Sequence, residues 1–130
     1  MPERDELLTE IAPMGVIRAA VNMSNAALVQ HDPVTGDLTG PSAQIAIALA
    51  AELDCGLSLV QYGSAADILA AAEGNEWDVA FIASDPSRAD RFSFSPPYTT
   101  VTASFLVSDS SPLGSVEHVD VEGMRIAAAR

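Results

Sequence analysis

From Gly15 the sequence reads GVIRAAVN, a near-continuous apolar run in which Val16, Ile17 and Val21 are β-branched. Such residues fit a pleated strand, and the lack of polar alternation implies burial on both faces, as in a parallel sheet. LSLVQY at 57–62 alternates as a second strand, and DVAFIA from Asp78 is a third, short and apolar. Helical spacing separates them. Pro41 stands in the first turn of a helix running to about Asp54, with Ile45, Leu49 and Leu53 on its inner stripe, Gly56 beyond its end and alanines that permit close packing. Ser64 and Asp67 form a capping-box-like start for a second helix through Ile68, Leu69 and Ala72, which Gly74 stops. Strand, helix, strand, helix, strand is an α/β arrangement, and right-handed crossovers between parallel strands follow from it.

Outside this block, residues 5–12 predict a short accessory helix with Leu7, Leu8 and Ile11 on one face, ended by Pro13. TTVTASFLVS at 99–108 reads as one long strand from its threonines, Val101, Phe105 and Val107. Pro112 and Gly114 end it, Ser115 caps a single helical turn, and MRIAAA begins a further strand.

In open α/β sheets the ligand crevice lies beyond the carboxyl ends of the strands. Two loops compete for that place. Residues 22–40 form a polar loop whose Asp32-Pro33 and Gly36-Asp37 pairs mark two turns, and residues 83–88 follow the third strand. Asp85, Pro86, Ser87 and Arg88 read as a compact helix start, with a capping carboxylate and proline at the first helical position. Backbone N–H groups there make an anion site, and Arg88 adds a fork suited to a carboxylate. The bland alternative is that Asp85 fills the anion site itself and Arg88 pairs with Asp90 or another surface acid.

Composition narrows the function classes. At 130 residues the chain is one domain, large enough to bury roughly two thirds of its unfolded surface. Eighteen acidic against six basic residues give a net charge of -12, which repels phosphate backbones and excludes nucleic acid as a partner. The lone Cys55 leaves no disulfide within the chain and reads as a half-buried structural thiol. MPERDELLTEIAPMG has acid where a secretory signal needs base and no apolar core, so the expected compartment is the cytoplasm. His31 beside Asp32 lacks any recognised ligand spacing and His118 sits in the short turn, so no metal and no cofactor is expected. Neither histidine has a serine or cysteine nearby in a nucleophile motif. Trp77 is expected to pack at the sheet edge and Tyr98 near a Pro-Pro corner.

GVIRAAVN, the TGDLTG turn before a helix, WDVAF, DPSRADRFSFSPPY, FLVSDSSPLGSVEHV and GMRIAAA fall in the order seen in one family. Residues 15–130 resemble the first lobe of family 3 solute-binding proteins, the receptors of ABC importers for polar amino acids. The resemblance implies a lobe of the type II periplasmic-binding-protein fold, a central, largely parallel sheet flanked by helices. It implies three segments: an accessory stretch 1–14, the first lobe 15–108, and residues 109–130 as a hinge crossover and the truncated start of a second lobe. It also implies a periplasmic or extracellular setting, against the cytoplasm expected from the N-terminal sequence, and a non-catalytic role with an ABC permease as partner and an amino acid or organic acid as solute. Arg88 would hold the ligand's carboxylate with Ala83, Ser84 and Asp85, and Asn22, Ser24 and Asn25 would line the side-chain pocket. The sequence departs from the family in carrying NAALV where many relatives place a stacking aromatic, and Asp85 where threonine is common.

Two other classes stand beside this one. A few proteins of the fold are dehydratases acting on prephenate-like acids, which requires neighbouring carboxylates with one raised pKa. An interaction module, including a homodimer formed through the unfinished strand after Gly123, would use an exposed edge.

Overall fold

The GVIRAAVN run is the middle of the sheet. In the computed structural model, which describes residues 3–128, the elements are α1 (Arg4–Ile11), β1 (Val16–Asn22), β2 (Gln30–His31), β3 (Leu38–Thr39), α2 (Pro41–Leu53), β4 (Gly56–Tyr62), α3 (Ala65–Ala71) and β5 (Val79–Ala80). Short 3-10 turns follow at Pro86–Arg88 and Val116–His118. The chain divides into two units between Phe92 and Ser93.

In the first unit β4, β1 and β5 form a three-stranded sheet in that order. Both pairings are parallel, with Val16 opposite Gly56 through Asn22 opposite Tyr62 on one side, and Ala19 opposite Val79 on the other. Ile17, Ala19, Ala20 and Val21 are wholly buried, as a strand covered on both faces requires. Ile17 and Ala19 belong to one cluster with Ala46, Ala50 and Leu53 of α2, joined by Leu57, Leu59, Val79 and Phe81. The alternate positions Arg18, Ala20 and Asn22 point to the opposite face. The buried Ile68 and Ala71 of α3 lie outside that cluster, and α3 packs against β1 and β4. Thus the α/β arrangement read from the sequence holds, with a parallel sheet flanked by helices.

Several details differ from the expectation. The inner stripe of α2 is Ala43, Ala46, Ala50 and Leu53, while Ile45 is 36% exposed. Small side chains let the helix backbone approach the sheet, and that places the larger Ile45 at its margin. The helix ends in a left-handed residue at Asp54, φ 51°, without waiting for Gly56. Arg4 of α1 donates from Nε and Nη2 to the Leu53 carbonyl at 3.1 and 3.0 Å, satisfying an orphan acceptor at that end. Consequently α1 is part of the core structure: Leu7, Leu8 and Ile11 pack on the main cluster and Ala12 is buried. The 22–40 loop holds the two-residue pairing of β2 with β3, closed by Asp32, whose Oδ1 accepts from the Val34 and Thr35 amides. Gly40, at φ 107°, lies so close to Leu28 that a Cβ would stand 2.6 Å from its carbonyl oxygen.

β5 is shorter than DVAFIA implied. Only Val79 and Ala80 are in the ladder, extended by the Phe81 amide donating to the Ala20 carbonyl. Its position is fixed just upstream. Arg18 Nε and Nη2 grip Asp78 at 3.0 and 2.7 Å, the Arg18 amide donates to the same carboxylate at 2.8 Å, and the Asp78 amide returns a bond to the Arg18 carbonyl. Arg18 Nη1 also donates to the Asn75 carbonyl.

The second unit, taken alone, contains the 3-10 turn that Ser115 was expected to start, although its hydroxyl makes no capping bond. Residues 99–108 and 124–128 form no regular element and no ladder, so the two strands read there are absent among the described residues. Threonine and valine favour a strand only where a neighbour accepts its hydrogen bonds. The last residue of MRIAAA, Ala129, lies outside the described residues.

Bonds from Arg18 hold the Asp78 carboxyl below the usual carboxylate range, against the opposing effect of burial. A carboxyl lowered in this way stabilises the fold above its unfolded pKa of about 3.9, and the contribution fades as pH falls through the folded value. Asp78→Asn therefore lowers the melting temperature at neutral pH by about 5–10 °C, roughly 1–2 kcal/mol. Circular-dichroism melts across acid pH should show a shallower loss of stability below about pH 4 in the variant than in the parent. Parallel acid limbs would contradict this.

Candidate functional site

Three strands end together at one edge. Asn22 closes β1 beside Tyr62 of β4, and the Met23 amide donates to the Tyr62 carbonyl at 2.9 Å. On the other flank Ala80 stands opposite Ala20 and the Phe81 amide donates to the Ala20 carbonyl, so the chain after β5 leaves the sheet two residues short of Asn22 in register. The loops after β1 and β5 thus leave the sheet as neighbours, which is the crevice position of an open α/β sheet.

The Asn22 side chain is half-buried and faces its own loop, its Oδ1 accepting from the Ser24 amide at 3.0 Å and the Ser24 hydroxyl at 2.7 Å. That leaves the Asn22 amide nitrogen as the donor for other uses. Asn25 is half-buried, and its carbonyl accepts from the Leu28 and Val29 amides, so its backbone shapes the loop. Ser24 is exposed.

After β5, Ala83 and Ser84 are exposed, and the 3-10 turn begins at Asp85. Asp85 Oδ1 accepts from the Ser87 amide at 2.8 Å and the Ser87 hydroxyl at 2.5 Å. Its carboxyl is held below its ordinary range by the Ser87 hydroxyl, then by the Ser87 amide, with the Arg88 charge adding to both. Asp85 therefore occupies the turn's own amide, which corrects the idea that free N–H groups there await an anion. Arg88 behaves differently. Its Nη1 donates to the Ala83 carbonyl at 2.8 Å, three residues past the end of β5, and it makes no ion pair with Asp90 or any other acid among the described residues. The ion pairs there use Arg4, Arg18 and Arg91. Four further donors of the Arg88 fork are available for a planar acceptor.

Within the first unit a cavity of about 300 Å3 is lined by Leu8, Ala12, Gly15 and Cys55, at the edge where β1 and β4 begin. The second unit, by itself, has one of about 410 Å3 among residues 104–127. A single sheet edge is one wall and does not enclose a ligand by itself.

Sequence reasoning missed Tyr62. Its hydroxyl donates to Glu76 Oε2 at 3.1 Å, and burial first, then Glu76, raises its pKa. The signal was its place as the last residue of LSLVQY, an aromatic at a strand's carboxyl end. Arg18 was missed too, although an arginine inside a buried apolar run requires a partner. His31 is exposed with Nδ1 at 3.0 Å from the Gly36 carbonyl, and among the described residues no group of histidine, cysteine, aspartate and glutamate could hold a metal ion.

The sheet order, the flanking helices and the shared carboxyl edge define an α/β lobe of the periplasmic-binding-protein type. Residues 17–124 match the family model of bacterial extracellular solute-binding proteins, family 3, and the chain belongs to that family. Solved structures agree in fold. An ancestral cyclohexadienyl dehydratase aligns with TM-score 0.60 and 21% identity over 76% of this chain and 39% of its own. An ancestral cationic amino acid solute binding protein aligns with TM-score 0.60 and 24% identity over 74% of this chain and 40% of its own. Domain 1 of the arginine-bound form of TmArgBP aligns with TM-score 0.60 and 17% identity, over 75% of this chain and 72% of that domain. The chain spans about two fifths of the length of the first two. No curated protein matches it. Among the described residues no helix is long and apolar enough to cross a membrane.

Proposed function

We propose that this chain is a non-catalytic lobe that binds a small carboxylate-bearing, amino-acid-like solute as part of the substrate-binding component of an ABC importer. The observation that carries the reading is Arg88: a guanidinium past the carboxyl end of β5, held by one bond to Ala83 and facing no carboxylate within ion-pair distance among the described residues. In a protein with eighteen acidic residues and six basic ones, an arginine left unpaired at a sheet's ligand edge favours an external acid as its partner. In this reading Arg88 grips the carboxylate, the Ser84 hydroxyl donates to it, and the Asn22 amide faces the rest of the solute. Ser24, Asn25 and Ala83 shape the walls. Asp85 braces the turn and leaves a negative charge near the site, which favours a ligand that also carries an amino group. Two structurally similar proteins are named for a cationic amino acid and for arginine, which fits that preference.

The dehydratase alternative needs a carboxyl raised enough to serve as an acid. Asp32, Asp78 and Asp85 are all held below the usual carboxylate range by their hydrogen bonds, so none of these three fits that role. A second reading, association with another copy, is favoured by the second unit, where Val101 and Leu106 are 78% and 98% exposed in chain that has no ladder partner. The ABC permease follows from the family alone.

Thermal melts with a panel of L-amino acids and dicarboxylic acids test the first reading: at least one should raise the melting temperature, and the rise should vanish in Arg88→Ala. A panel that shifts nothing in the parent contradicts it. Multi-angle light scattering tests the second reading, which predicts a mass that grows with concentration; a strict monomer contradicts it.

A further inference from the structure

The segment that carries Arg88 is anchored at both ends, and its far anchor has no part in the site itself. Upstream it is held by the β5 pairing and the Arg18–Asp78 bonds. Downstream the Phe92 and Arg91 amides both donate to the Arg88 carbonyl, at 3.0 and 3.1 Å, so the turn continues as far as Phe92. The Phe92 ring lies against Trp77, with centroids 5.8 Å apart and planes inclined at 35°. That separation is within the range of an aromatic pair contact, in a tilted arrangement. Trp77 is itself fixed: its Nε1–H donates to the Ile68 carbonyl at 2.8 Å, and Ile68 is wholly buried in α3. On the outer side of Phe92 the Arg91 guanidinium stands 5.2 Å from the ring centroid and reaches Glu73 at 3.6 Å. A line of contacts therefore runs from the buried body of α3 through Trp77 and Phe92 to the backbone of Arg88.

We infer that Phe92 is a positioning residue for Arg88, with Trp77 as its seat, so that the guanidinium's place at the sheet edge depends on an aromatic contact outside the site. This rests on the reading of Arg88 as the carboxylate-holding group. The physical reason is that the turn from Asp85 to Phe92 is too short to hold its own shape. Its internal backbone bonds are three i to i+3 contacts and one i to i+4 contact from Phe92 itself, and a short exposed turn of this kind opens readily unless something heavier pins it. Phe92 supplies that pin. The near anchor alone leaves the chain beyond Ala83 free to swing, which would spread the guanidinium over many positions and weaken its fork on a planar acceptor. Glu73 and Arg91 are largely exposed, so their pair contributes little and the ring contact carries the effect.

Two measurements on the full chain decide this. Amide hydrogen exchange compares the parent with Phe92→Ala and Phe92→Tyr. The expected result is at least about tenfold faster exchange at Arg88, Ala89 and Arg91 in Phe92→Ala, with the β1 amides unchanged, and recovery in Phe92→Tyr, which keeps the ring. Calorimetric titration with L-arginine and with L-glutamate as probes should show about tenfold weaker binding in Phe92→Ala and near-parent binding in Phe92→Tyr. Exchange at Arg88 that does not change, or that rises equally through β1, overturns the positioning role. Unchanged affinity despite a loosened turn overturns it as well, while leaving the Arg88 site intact. If neither probe binds the parent, the reading of the site is what fails, and the exchange data still decide whether Phe92 orders Arg88.

Discussion

The fork that Arg18 places on Asp78 is the constraint from which the rest of the first unit follows. β5 has only two laddered residues, too few to set a register firmly. Arg18 lies in the middle of β1, and its side chain and backbone together make four hydrogen bonds with the residue just before β5. The Asp78 side chain is 9% exposed, so this is a partly desolvated pair whose geometry must be good to offset the cost of burying it. Because the fork has one fitting position, it sets which residue of β5 stands beside which residue of β1. In turn it sets where Ala83 and Asn22 emerge.

Once that register is fixed, the chemistry at the edge is a matter of which charges are already satisfied. All six basic residues of the chain are arginines. Arg4 closes the end of α2, Arg18 aligns the sheet, and Arg91 braces Phe92. Asp85 spends a carboxylate oxygen on Ser87, two residues on in the same turn. Arg88 and Arg125 make no ion pair among the described residues, and of these two it is Arg88 that follows a strand of the sheet, with most of its fork unspent. The fold and the family supply the class of protein; the state of this guanidinium supplies the argument about what that class binds here.

Much of the first unit was legible because its signals are local. Unbroken apolarity marked β1, Pro41 the start of α2, and Ser64 with Asp67 the start of α3, where the Ser64 hydroxyl does accept the Asp67 amide at 3.1 Å. Arg88 was legible as a candidate because it follows a strand and an Asp-Pro-Ser helix start, with a surface ion pair as the equal alternative, and the other site residues came only from the family resemblance. What could not be read is what depends on partners distant in sequence. Asp78 looked like the first residue of a strand until Arg18, sixty positions earlier, was seen to hold it. Asp85 looked equally suited to an incoming anion and to its own turn, and hydrogen-bond geometry decided for the turn. The strand expected at 99–108 failed for the same reason in reverse, since its residues favour a ladder but nothing among the described residues provides one.

Because lysine is absent, selective 15N labelling of arginine observes every cationic side chain in the protein at once. The most direct measurement of the central claim is the Nε–H spectrum of those arginines as an L-amino acid is added. The account predicts that the Arg88 resonance moves and sharpens while that of Arg18, already committed to Asp78, stays in place. An Arg88 signal indifferent to every amino acid, or a response confined to Arg18, would contradict it.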